Sequence, residues 1–193
     1  ATVSALRVWA LRQMATWSTF FRQSEMALEY WERILTLRPL DPAVLATVAG
    51  LHAAAGRRDQ ARALLRKSID IDAAQAYVHF NLGFLLQQDE QHDAALAAFE
   101  RSLELNPKLD RALYGKALSL IKLGRLEESL EPLRANMRLQ PLSPYGFYQL
   151  AHVLHRLERD DEAKKVIVQL SGFEPQVARQ VQRETGIDAG VPE

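Results

Sequence analysis

The sequence predicts an all-α fold, a solenoid of antiparallel helix pairs closed at its C-terminal end by a capping helix. Three observations predict it. Aligning Gly56, Glu90, Gly124 and Glu158 divides the chain into 34-residue units beginning at Pro42, Ala76, Asp110 and Pro144, with a further unit begun at Val8. Within each unit, apolar or small residues recur at i, i+3, i+4 and i+7, the mark of one buried helical face. Near the end of four units stands a proline, Pro39, Pro107, Pro141 or Pro175, whose ring lacks the N–H that would continue a helix.

The five units are 8–41, 42–75, 76–109, 110–143 and 144–177, within a repeat domain 1–177; a cap and tail occupy 178–193. Places 4, 7, 8 and 11 of a unit form the stripe of its first helix, read in the third unit as His79, Leu82, Gly83 and Leu86. Places 20, 24 and 27 form the stripe of its second helix: Ala27, Trp31 and Ile34 in the first unit, Ala95, Phe99 and Ser102 in the third. The second unit carries Ala73 where the others have proline. The fourth unit departs most, with Lys116 at place 7, Ser129 at place 20 and Pro132 inside the second helix. A proline there cannot donate to the carbonyl of Glu128, so a kink or late start is expected. Beyond Pro175, Val177, Ala178 and Val181 form a stripe that ends at Thr185-Gly186 and reads as a capping helix. A solenoid needs one because its last repeat would otherwise expose its stacking face. Residues 187–193 are expected to be a loose tail.

A content of 48% hydrophobic and 25% charged residues excludes a disordered chain. The 24 basic and 24 acidic side chains cancel, so no global field attracts nucleic acid or an anionic membrane. Without cysteine there are no disulfides, thiol nucleophiles or thiolate metal sites. No apolar run approaches the roughly 18 residues of a membrane span, and 1–21 is interrupted by Arg7, Arg12 and Gln13. The chain opens at Ala1 without methionine, which leaves room for an upstream signal or anchor and leaves localisation, cytoplasmic or periplasmic, undecided. Arginine outnumbers lysine three to one, pointing to a GC-rich bacterium.

Asn81-Leu82-Gly83, together with the run from Ala94 to Pro107, carries a close resemblance to the tetratricopeptide repeat family, and the register of that resemblance extends over residues 8–177. The resemblance implies a right-handed superhelix in which small residues at places 8 and 20 let the paired helices approach closely. It also implies that first helices line a concave groove and second helices form the convex back.

On that reading, places 2, 5, 9 and 12 face the groove. A solvated helix would put polar groups there, yet the third unit offers Tyr77, Phe80, Phe84 and Gln87. The fourth offers Arg111, Tyr114, Leu118 and Ile121, and the fifth Tyr145, Tyr148, His152 and His155. Phe80, Tyr114 and Tyr148, at place 5, also suit packing between neighbouring first helices. Tyr77, Phe84 and Tyr145 suit partner contact, since aromatics dominate binding hot spots. The stretches 43–57, 76–88, 111–123 and 144–157 hold no acid, while Arg12, Arg111, Lys116, Lys122 and Arg156 lie on first helices. A positive groove follows, suited to an apolar or acidic segment of another protein or to a C-terminus. The family's two-carboxylate clamp for chaperone tails matches poorly: Asn81 and Arg111 are in place, but Ala46, Gly50 and Gly115 stand where polar groups are required.

His152 and His155 have metal-ligand spacing but no apparent third ligand, and read as groove residues able to make binding pH-sensitive. His52, His79 and His92 read as structural. Arg57, Arg58, Arg62 and Arg66 form a basic patch interrupted by Asp59, read as a solvated convex surface rather than a nucleic-acid site. No glycine-rich phosphate loop, nucleophile elbow or paired acid and base is present. No catalytic, cofactor or metal site is therefore expected. The functional expectation is a scaffold or adaptor in the assembly or regulation of a bacterial complex. Two alternatives are the non-catalytic repeat portion of a larger enzyme such as a glycosyltransferase, and a subunit that self-associates through Trp9, Trp17, Phe20 and Phe21.

Overall fold

The computed structural model describes residues 3–192; residues 1 and 2, where the repeat domain was expected to open, and residue 193, the end of the tail, lie outside them. Among the described residues the fold is all-α, a solenoid of five hairpins and a cap. The first helices are α1 (Val3–Phe20), α3 (Pro42–Ala54), α5 (Ala76–Gln88), α7 (Asp110–Lys122) and α9 (Pro144–Arg156). The second helices are α2 (Ser24–Leu37), α4 (Arg58–Ile71), α6 (His92–Leu105), α8 (Leu126–Leu139) and α10 (Asp160–Ser171), and α11 (Pro175–Thr185) closes the array. Each helix packs on its chain neighbours, and successive first helices α3, α5 and α7 also touch.

The hairpin turn has one backbone requirement. Place 15 is left-handed in every unit, at Arg22, Gly56, Glu90, Gly124 and Glu158, with φ from 57° to 78°. Only two units use glycine, the residue that adopts this conformation without a Cβ penalty. In the other three the surrounding helices hold an ordinary side chain in a sparsely populated region.

The stripes read from the sequence are buried. Leu45, Ala49, Ala95, Phe99, Ala151 and Ile167 are fully or almost fully covered. Place 27 shows how a polar residue enters such a stripe. Ser68 Oγ donates to the Pro42 carbonyl (2.9 Å), Ser102 Oγ to the Ala76 carbonyl (2.8 Å) and Asn136 Nδ2 to the Asp110 carbonyl (3.0 Å). Each bond ties the end of a second helix to the start of its own first helix, so the buried group is satisfied.

The fourth unit corrects one half of an expectation, the late start of its second helix. Helix α8 starts at Leu126, in register with the second helices of the neighbouring units, and runs unbroken through Pro132. There is no late start. The missing N–H deprives one carbonyl, that of the exposed residue Glu128, while Pro132 itself is buried. Lys116 remains in its apolar place by pairing with Glu100 of α6 at 3.0 Å.

The tail is the second correction. The cap helix opens at Pro175 and ends at Gly186, left-handed at φ 74°, but residues 187–192 fold back on it rather than hanging loose. Ile187 and Val191 are buried. Gln182 receives the N–H groups of Ala189 (2.9 Å) and Val191 (3.3 Å) on its Oε1, and Arg179 donates to the Pro192 carbonyl. Two apolar side chains and a satisfied glutamine outweigh the entropy of so short a tail.

Candidate concave binding site

A cavity of about 430 Å³ opens between α5, α7 and α9. Phe80 and Phe99 form its floor, and Phe84, Arg111, Tyr114, Leu118 and Tyr145 its walls. The floor depends on two glycines. Phe99 is fully buried between Gly83 and Gly115, and a Cβ at Gly115 would lie 2.5 Å from its ring. Gln87 locks the adjoining helices together, donating to the Gly115 carbonyl and to Ser119 Oγ, both at 2.9 Å.

The place-5 and place-9 residues divide by burial. Phe80 is 4% exposed and belongs to the core, stacked near Phe84 and Phe99. Phe84, at 42%, is open. Tyr145 is 67% exposed and meets the half-buried Tyr114 edge-on at 6.3 Å. Burial raises the Tyr114 phenol above its ordinary pKa, with a hydrogen bond from Gln149 working the other way. Tyr77 is also open, on α5 outside the cavity. Asn81 is half-buried.

Arg111 is the charged group of this cavity that keeps its charge available. Its guanidinium lies 4.9 Å over the Phe80 ring, and among the described residues it makes no ion pair. The cation–π contact orients the side chain across the floor without neutralising it. Asp110, at the rim, is engaged by Gln140 at 3.1 Å.

The fifth-unit end of the groove is different from the acid-free surface the first helices suggested. Glu184 of α11 accepts from the Tyr148 hydroxyl and contacts His152 Nε2, both at 2.8 Å. Hydrogen bonds from Gln180, then Tyr148 and His152, hold its carboxyl below the usual range, while that same contact raises the Tyr148 phenol. His155 is held separately, by Asp160 at 2.7 Å, and Arg156 is exposed beside it. The two histidines therefore serve different carboxylates. Sequence reasoning missed Glu184 because it follows the cap's apolar stripe by one turn and carries no local signal of crossing α9.

His79, His52 and three arginines of the basic patch, Arg57, Arg58 and Arg62, have partners within the fold. His79 bonds the Ala73 carbonyl (2.9 Å), and His52 lies between Arg57 and Glu32. Arg58 and Arg62 both grip Asp89, and Arg62 also pairs with Asp59. Among the described residues no helix is long and apolar enough to cross a membrane.

These features define a helical-repeat scaffold with an aromatic concave pocket. The profile of the family described as tetratricopeptide repeat matches residues 76–109. That match covers one of the five units, and the fold of the described residues is that of a tetratricopeptide-type solenoid. Among curated proteins the chain is 28% identical over 102 residues to the human protein O-mannosyl-transferase TMTC3 and 29% identical over 118 residues to human tetratricopeptide repeat protein 13. Those matches span 51% and 61% of this chain but only 11% and 14% of the relatives' own lengths. Among solved structures it resembles MamA from Desulfovibrio magneticus RS-1, with TM-score 0.78, 18% identity and coverage of 92% of this chain and 96% of that one. It also resembles YrrB, described as a tetratricopeptide protein with an unusual peptide-binding site, with TM-score 0.75, 19% identity and 88% coverage of each chain. At these identities the structural likeness is one of fold.

Proposed function

We propose that the chain is a scaffold that holds an extended or helical segment of another protein in the concave groove of its third to fifth units, in the assembly or regulation of a bacterial complex. The observation that carries this reading is the cavity between α5, α7 and α9, in which apolar walls from Phe84, Tyr114 and Tyr145 surround the unpaired Arg111. That arrangement suits an apolar side chain followed within a residue or two by a carboxylate, either an acidic side chain or a chain terminus. The peptide-binding site described for YrrB supports it by analogy of fold. Random-peptide display against the intact chain tests it. Enriched sequences should combine an aromatic or aliphatic residue with Asp, Glu or a free C-terminus. Phe84→Ala and Tyr145→Ala should each weaken the winner by about 2 kcal/mol, roughly 30-fold, and Arg111→Glu should reverse the charge preference. Peptides that bind all three variants as well as the parent would place recognition elsewhere.

The match to part of an O-mannosyl-transferase favours a second reading, in which the chain is the non-catalytic repeat portion of a larger enzyme. A reading frame continuing into a catalytic domain would support it; one that stops close to these residues on both sides would not.

A further inference from the structure

Helix α1 differs from the other first helices in length and in what it leaves uncovered. It has 18 residues where α3, α5, α7 and α9 have 13. The extra length replaces a turn: residues 4–7 are helical, whereas 38–41, 72–75, 106–109 and 140–143, at the equivalent places, are turns or helix caps. Along one side runs a stripe of Val3, Leu6, Ala10, Met14, Trp17 and Phe21, spaced by three or four residues. It is exposed throughout, from 47% at Met14 to 84% at Val3. In later units the places of Ala10, Met14 and Trp17 are buried or half-buried against the preceding second helix. Val44 and Val48 lie against Ile34, and Gly146 against Asn136 and Met137. The repeat geometry thus builds this stripe as a seat for a helix. At its end the rings meet one another, with Trp17 stacked on Phe21 at 6.2 Å and Phe20 edge-on to Phe21 at 5.3 Å.

We propose that the occupant is a second copy of this chain, with the two α1 helices packed antiparallel about a two-fold axis. The stripe is graded in size, small in its first half (Val3, Leu6, Ala10) and large in its second (Met14, Trp17, Phe21). Antiparallel pairing sets Val3 against Phe21, Leu6 against Trp17 and Ala10 against Met14, so bulk meets space. Parallel pairing would set Trp17 against Trp17 and Ala10 against Ala10. Charge favours the same arrangement. Helix α1 has no acid, and Arg12 is turned away over Trp31 at 5.7 Å. Arg7 then faces the Trp17 end of the other copy, a cation–π approach, whereas a parallel pair would bring Arg7 onto Arg7. The stripe presents six exposed side chains on each copy, two of them large aromatics, against the roughly 1,200 Å² in total that the smallest specific interfaces bury. At the opposite end of the solenoid α11 turns its apolar side inward, burying Ala178 and Val181, so the isologous contact closes as a dimer rather than a filament.

Sedimentation equilibrium of the full chain from about 1 to 100 μM tests this. The expected result is a concentration-dependent dimer. Trp17→Glu and Phe21→Glu should each raise its dissociation constant at least about 100-fold, with circular dichroism unchanged because both side chains are exposed. Because the chain has no cysteine, orientation is read directly. Chains carrying Ala10→Cys mixed with chains carrying Met14→Cys should cross-link on oxidation, while Leu6→Cys should not cross-link to itself. If either glutamate variant fails to fold, the cysteine pairs decide alone. A monomer at every concentration, a dimer indifferent to both glutamates, or a Leu6→Cys self-cross-link overturns the proposal.

Discussion

The same substitution should change stability in opposite directions at two glycines of this solenoid. Gly50 and Gly115 both lie inside first helices, and both would gain about 1 kcal/mol of helix propensity on replacement by alanine. At Gly50 a new Cβ meets nothing within 4 Å. Gly50→Ala should therefore stabilise the chain by about 0.5–1 kcal/mol. At Gly115 the Cβ would sit 2.5, 2.7 and 2.9 Å from three ring carbons of Phe99. That ring has little room to withdraw, because it is fully buried and its Cδ1–Cε1 edge is already close to Gly83. Overpacking of this kind costs about 1–3 kcal/mol, or more where nothing yields, leaving Gly115→Ala destabilised by up to about 2 kcal/mol. For a chain of this size each kcal/mol moves the melting temperature by about 2–4 °C. Thermal unfolding followed by circular dichroism should show Gly50→Ala a few degrees above the parent and Gly115→Ala a few degrees below. Phe99→Leu, costly by itself, should relieve Gly115→Ala, with a coupling of about 1 kcal/mol in the double-mutant cycle. If Gly115→Ala melts as high as Gly50→Ala, the close approach that forms the groove floor is not there.

Two further predictions concern the cap. Glu184 has its folded pKa depressed, so its contribution to stability is present above the ordinary value of 4.5 and is lost as pH falls through the folded value. Glu184→Gln should melt lower than the parent at pH 6–7 and the two curves should converge towards pH 3; a difference that persists at pH 3 would assign the effect to something other than the carboxylate. Gln182→Ala removes the acceptor for the Ala189 and Val191 amides. Hydrogen exchange at those two amides should accelerate about 10-fold or more while exchange in α5 is unchanged, and protection that survives the substitution would show that Ile187 and Val191 hold the tail unaided.

Much of the fold is legible in the residues because a solenoid is built from local contacts. The period follows from spacing alone, and the stripes at places 4, 7, 8 and 11 follow from helical geometry. Gly56 and Gly124 fall at the left-handed turn place, but Glu90 and Glu158 fill it without any sign of their backbone conformation. The exposure of Tyr77, Phe84 and Tyr145 follows from the same periodicity, since each lies opposite its helix's packing face. What spacing does not encode is how far each helix is overlapped by its neighbour. Phe80 and Tyr148 occupy the same place in their units, yet one is core and the other is only half-buried and bonded to Glu184.

The sequence by itself determined the helical hairpins, their number and their buried faces, because these depend on residues within one or two turns of each other. Only the tertiary structure decided that Glu184 enters the groove and that the tail closes on Gln182. It also decided that Pro132 leaves α8 in register and that Phe99 is pressed against Gly115. Each of these depends on packing beyond the local helical spacing, most on the angle at which one helix crosses another, and that angle is set by side-chain volumes summed across the interface rather than by any local pattern.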